Sequence, residues 1–198
     1  MLRNEGKLKV IFVTKNEHKF MEAKAIAESM GIVLIQSHIR KVEIQAFDLK
    51  EIAVFSSRYV RNELSSSTYI VEDAGLFVRR LNGFPGPYSS YVYKTIGCEG
   101  VLKLLEGIDD RRATFKSVVV LYDPRIGEVI FEGITEGTIS YSIRGKGGFG
   151  FDPIFIPKML KRTYAELTLA EKNEISHRAK AMKKTFGFIK YHLKTESN

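Results

Sequence analysis

Four stretches of this chain carry residues whose types and spacing suit work on an anionic ligand. The first is Thr14-Lys15-Asn16-Glu17-His18-Lys19, at the handover from a strand pattern to a helix pattern. The first N–H groups of a helix lack internal partners and carry partial positive charge, so they favour phosphate oxygens. Lys19 adds a full charge in that turn, and Thr14 and Asn16 can hydrogen-bond oxygens. Ordinary capping explains the same letters, with Asn16 as N-cap and Glu17 favourable to the helix dipole. The glycines of a P-loop are missing. The second stretch, Glu72-Asp73-Ala74-Gly75, places adjacent carboxylates at the end of a short strand. Neighbouring side chains of an extended chain alternate, so at most one of the pair continues the buried face. Such a carboxylate is a usual ligand for Mg2+ and can orient or deprotonate a water. The structural alternative is an acidic turn before Gly75.

The third stretch spans residues 145–153 and sets four glycines around Phe149 and Phe151, followed by Asp152-Pro153. Glycines let backbone approach a flat ligand closely, Phe149 can stack on a ring, and Asp152 is held extended by the proline. The alternative is a mobile hairpin tip with its aromatics folded onto the core. In the fourth, Thr168-Leu169-Ala170-Glu171 has capping-box spacing and opens a helix. Lys172 and Ser176 then share a face, with His177 and Arg178 after them. Lys172, His177 and Arg178 offer donors to phosphate or to a ring oxygen. A solvated, charged helix face accounts for the same residues.

The elements that must position these groups read as one α/β unit with a mixed sheet. Residues 9–14 form an apolar, β-branched strand, and residues 17–30 a helix with Phe20, Ala23, Ile26, Ala27 and Met30 on one side and Gly31 as C-cap. Residues 32–35 return to strand, 49–64 to helix, and 69–71 form the short strand before the carboxylates. Residues 82–90 are a turn-rich loop, 100–106 a helix, and 113–122 with 128–134 a β-hairpin. The stretch 168–193 holds the C-terminal helical segment. Neither repeats nor a linker interrupt the chain, so residues 1–198 are expected to form a single domain.

Composition narrows the class. Apolar residues make up 44% of the 198, with 13 Phe and 9 Tyr, enough for a sizeable core. No apolar run approaches the ~20 residues of a membrane span, the N-terminus carries no signal-peptide pattern, and Cys98 has no second cysteine to pair with. A soluble, cytoplasmic protein is the expectation. The net charge of +8 favours anionic partners, although the basic run 180–194 also reads as the wet face of an amphipathic helix.

Together and in this order, the stretches resemble the inosine triphosphate (non-canonical purine nucleoside triphosphate) pyrophosphatases. TKNEHK at 14–19 is similar to that family's T/S-x-N-x-x-K signature, and Glu72 to Leu76 to its D/E-D-S/A-G-L motif. LNGFPGPYSS at 81–90, GGFGFDPIFIP at 147–157 and TYAELTLAEKNEISHRAKA at 163–181 resemble its remaining blocks. The resemblance implies a mixed central β-sheet flanked by helices, two lobes with an active-site cleft between them, and a homodimer. It implies hydrolysis between the α- and β-phosphates, with Mg2+, to a nucleoside monophosphate and pyrophosphate. By position, Thr14, Asn16 and Lys19 would grip the triphosphate, with Lys15, Glu17 and His18 in the same segment. Asp73 would hold the metal and serve the attacking water, and Glu43 would be the second metal carboxylate. Ala74 would contact substrate through its backbone. The segment Phe149, Gly150, Phe151 and Asp152 would frame the nucleoside, and Lys172, His177 and Arg178 would close on base and phosphates. A donor-lined site suits the C6 oxygen of hypoxanthine and xanthine over the amine of adenine, whereas rejecting guanine needs a further feature at its 2-amino group.

Two positions depart from that pattern. The lysine usual in the second helix is Ser56 here, so Lys50 or Arg58 would have to supply its charge, and the motif serine is Ala74. Glu72 is a second candidate for Asp73's role. Two other functions stand beside the main one. A Maf-like pyrophosphatase would prefer other modified nucleotides. A basic nucleic-acid-binding protein would bind with strong salt dependence, but the scattered charge and the lack of a recognition motif speak against nucleic acid.

Overall fold

Short β-branched runs make the first strands, and an amphipathic helix returns the chain between them. In a computed structural model, which describes residues 8–193, β1 (Lys9–Val13) leads into α1 (Glu17–Ser29) and back to β2 (Val33–Ser37), parallel to β1. Asn16 caps α1, its Oδ1 accepting from the Lys19 N–H at 3.1 Å, and Gly31, at φ 73°, follows the helix in the left-handed region. The helix α2 (Leu49–Leu64), capped by Asp48, returns the chain to β3 (Tyr69–Val78), parallel to β1. Past β3 lie β4 (Pro85–Gly86), α3 (Ser89–Thr95) and α4 (Gly97–Leu104). The hairpin β5 (Arg112–Asp123) and β6 (Gly127–Ile139) follows, then β7 (Phe155–Pro157), α5 (Leu169–Ile175) and α6 (His177–Leu193). The mixed sheet runs β2-β1-β3-β5-β6-β7, with β4 beside β3.

Four readings of the sequence change. The strand expected at 69–71 continues to Val78, so Glu72 and Asp73 lie inside β3, paired with Val119 and Val118 of β5, and there is no acidic turn. The apolar stretch beyond Gly75 extends the ladder and carries the carboxylates into the sheet. The loop at 82–90 contains the two-residue β4 and the start of α3, and the helix placed at 100–106 begins at Gly97. The C-terminal helical stretch is two helices, because Ser176 is extended at ψ 153° and its Oγ accepts from the Ala179 N–H. The last residue of the basic run, at 194, lies outside the described residues.

One sheet face carries two cores. Ile70, Val119 and Leu121 pack with Ala23, Ile26, Met182 and Phe186 of α1 and α6. Further along, Leu76 and Phe115 pack with Val101, Phe151, Phe155 and Tyr164. Among the described residues no helix is long and apolar enough to cross a membrane. The start of α6 presses directly on β6: a Cβ at Gly133 would overlap the His177 carbonyl. Gly133→Ala should therefore push the first turn of α6 off the sheet and destabilise the protein by about 1–3 kcal/mol, measured by urea unfolding.

Candidate active site

Between the two cores the same face turns polar. Side chains alternate along a strand, so Ile70, Glu72, Ala74 and Leu76 of β3 share a face, as do Val119, Ser117 and Phe115 of β5. Glu72 and Ser117 thus fill the gap between one core and the other, and the Ser117 hydroxyl donates to Glu72 at 2.8 Å. Arg178 Nε meets the same carboxylate oxygen at 3.0 Å, and Lys19 Nζ is 2.8 Å from the other. From Arg178 the network runs on to Glu22 at 2.6 Å, from Glu22 to Lys172 at 2.7 Å, and from Lys172 to Asp152 at 2.5 Å. Three carboxylates (Glu22, Glu72, Asp152) face three cations (Lys19, Lys172, Arg178), so the network is close to neutral.

Breaking the helix at Ser176 makes this possible. On one continuous helix, positions 172 and 178 would point roughly 120° apart. The extended Ser176 redirects the chain, so both side chains reach Glu22 and are almost wholly buried. The alternative of a solvated charged face for Lys172, His177 and Arg178 is thereby overturned. Glu22 was not singled out from the sequence, although it lies three residues beyond Lys19 and within the apolar stripe of α1. A charge inside such a stripe was the available signal.

The glycine-rich segment is a built loop. The Phe149 N–H donates to Asp152 Oδ2 at 2.7 Å, and a Cβ at Gly148 would overlap that carboxylate. Phe149 stacks on His18, with centroids 5.1 Å apart, and the cations of Lys172 and Arg178 lie about 5 Å from its ring. Phe151 turns the other way, into the second core against Tyr93, which leaves only its backbone for a ligand. His177 is buried and stacked on Phe115 at 4.5 Å; burial, followed by the charges of Arg178 and Lys172, holds its pKa well below the ordinary value. Among the described residues its Nδ1 has no hydrogen-bond partner.

Asp73 projects from the opposite face of β3 and is only half-buried. Burial pushes its carboxyl up; Lys19 and Lys41 pull it back, and the charges of Glu72 and Glu43 push it further. Glu72 goes the other way: burial opposes its charge, but Arg178 and Lys19 hold it far below the usual carboxylate range. The two adjacent acids are thus differentiated by the strand's alternation. Asp73 Oδ1 accepts from the Ala74 N–H at 3.0 Å. Glu43 pairs with Lys41 at 2.6 Å. Of the N-terminal segment, Thr14 is buried and its Oγ1 accepts from the Asn16 N–H, Lys15 is exposed, and Glu17 accepts from Gln36 at 2.9 Å. Among the described residues no group of three or more His, Cys, Asp or Glu side chains could hold a metal. The carboxylates available there match an ion such as Mg2+, which is normally held by one or two carboxylates and completed by substrate phosphates.

Arg58 is paired with Glu128, and Ser56 is buried with its hydroxyl donating to the Val42 carbonyl at 2.7 Å. Lys50 is exposed in the first turn of α2.

The Ham1 family model matches residues 10–188. A dITP/XTP pyrophosphatase of Thermococcus kodakarensis is 45% identical over 188 residues, covering 94% of this chain and 100% of the relative. One from Saccharolobus solfataricus is 46% identical over 196 residues, covering 99% and 100%. Among solved structures, the Ham1 protein of Staphylococcus aureus has a TM-score of 0.79 at 29% identity, covering 92% of this chain and 98% of that one. A HAM1 protein from Coxiella burnetii has 0.79 at 30%, covering 93% and 99%.

The network sets a stability prediction. Burial raises the Glu22 carboxyl but Arg178 and Lys172 more than reverse this, so Glu22, like Glu72, is held below its ordinary value. Their contribution is complete above the unfolded carboxylate pKa of ~4.3 and is lost as pH falls below it. Glu22→Gln should cost about 3–5 kcal/mol at neutral pH, because it leaves the buried network with one uncompensated positive charge. Urea midpoints should fall below about pH 4 in the parent protein and less steeply in the variant.

Proposed function

The chain belongs to the Ham1 family, and from that premise we infer that it hydrolyses non-canonical purine nucleoside triphosphates, ITP, dITP and XTP among them. The products are the nucleoside monophosphate and pyrophosphate. The single observation that carries the residue-level reading is the division between two neighbouring acids: Glu72 is locked in a buried ionic network, while Asp73 stands half-buried on the other face of β3.

On this reading Asp73 orients the attacking water and takes its proton, because its raised pKa and partial exposure suit a base. Glu72 is a positioning residue that fixes Lys19 and Arg178. Thr14, Asn16 and the start of α1 receive phosphate oxygens. Phe149 and His18 meet the base, with the loop around Gly150 and Asp152 shaping its slot. The neutral His177 and the cations beside it offer the donors and acceptor that read a 6-oxopurine. Asp73 and Glu43 would hold Mg2+, which would polarise the phosphate and offset its charge. A homodimer and a cytoplasmic setting belong to the same proposal.

With dITP and Mg2+, the purified protein should release dIMP and pyrophosphate; orthophosphate without pyrophosphate would contradict the reading. Asp73→Asn should lower kcat by about 10²–10⁴-fold without unfolding the protein, as judged by circular dichroism.

A further inference from the structure

Lys41 belongs to none of the four stretches, yet its ammonium lies against the Glu43 carboxylate and the backbone beside Asp73. Its Nζ is 2.6 Å from Glu43 Oε1 and donates to the Glu72 carbonyl, 3.5 Å away, on the peptide that joins Glu72 to Asp73. The backbone between Lys41 and Glu43 is anchored, because the buried Ser56 hydroxyl donates to the Val42 carbonyl at 2.7 Å. The side chains at 41 and 43 can therefore turn while the loop stays in place. Exposure differs across the pair: the Lys41 side chain is 19% exposed and that of Glu43 is 53%.

The charges explain what this arrangement can do. Lys19, Lys172 and Arg178 are already matched by Glu72, Glu22 and Asp152, so the buried network offers a triphosphate little net positive charge. Among the described residues Lys41 forms its ion pair with Glu43, and its charge also acts on the Asp73 carboxyl. If Glu43 becomes a ligand of a divalent ion, the ammonium 2.6 Å from it faces a like charge and loses its counter-ion. The nearest new counter-ion is the phosphate chain completing the ion's coordination.

We propose that Lys41 is a resident cation of the Glu43–Asp73 pocket: it holds Glu43 in the nucleotide-free enzyme, yields that carboxylate to the divalent ion, and then turns to the triphosphate. Lys41 thereby supplies a charge that Ser56 does not. This rests on the pyrophosphatase reading for its last step and on the pocket's own geometry for the first two.

The test uses Mn2+ alone as probe, titrated into nucleotide-free protein and followed by electron paramagnetic resonance. Lys41→Met should bind Mn2+ about two- to fivefold more tightly than the parent, the scale of a partly exposed ion pair. Lys41→Arg should match the parent. The gain should vanish when Glu43→Gln is also present, since the competition passes through that carboxylate. Equal or weaker binding by Lys41→Met overturns the proposal. So does a gain that survives Glu43→Gln, which would mark a general field effect. For the last step, the KM for dITP should rise in Lys41→Met while Mn2+ binding tightens, and an unchanged KM overturns that step. Pyrophosphate release by the parent protein is read separately: its absence would strike at the activity, while the Mn2+ comparison would still decide the role of Lys41.

Discussion

Across β3 and β5, an otherwise apolar sheet face is interrupted at Glu72 and Ser117, and the carboxylate placed there draws in cations from α1 and α6. A charge buried this deeply is costly unless it is paired and hydrogen-bonded. The surrounding segments supply that pairing. Lys19 comes from the first turn of α1, Arg178 from the start of α6, and Glu22 and Lys172 extend the pairing to Asp152 in the glycine-rich loop. The network ties five segments at the junction of two cores, so the same contacts that hold those segments together also fix the geometry of the loop and the helix termini.

The alternation of a strand then separates structure from chemistry. Glu72 faces the network and is kept ionised by it; Asp73, one residue on, faces the other way and is partly wet. Adjacent carboxylates in solution would titrate alike, whereas here burial raises one and cations lower the other. Close packing preserves the arrangement. Gly133 lets α6 start against β6, and Gly148 lets the Asp152 carboxylate fold under its own loop.

Much of this was legible in the sequence, for identifiable reasons. The β-loop-α-β opening, α2 and the β5–β6 hairpin follow from local periodicity and turn residues, and the structure has them close to the expected bounds. The capping box at Thr168 is present, because both of its hydrogen bonds are local. Less legible was whatever depends on contacts distant in sequence. Glu72 and Asp73 read as a strand end because nothing local shows that β5 pairs with them through Val78. A wet helix face stayed open as the alternative for Lys172 and Arg178 because their counter-charge, Glu22, lies about 150 residues earlier. Lys41 carried no motif at all; its proximity to Asp73 exists only once the loop after β2 packs beside β3.

The central claim is that the two neighbouring acids have been driven apart in ionisation by the network on one face of β3. Carbon-13 NMR titration of the side-chain carboxyls in the nucleotide-free protein tests it most directly, residue by residue. The account predicts that Asp73 titrates above its ordinary value while Glu72 stays ionised at the acid end of the folded range. Glu72 titrating near or above Asp73 would contradict it.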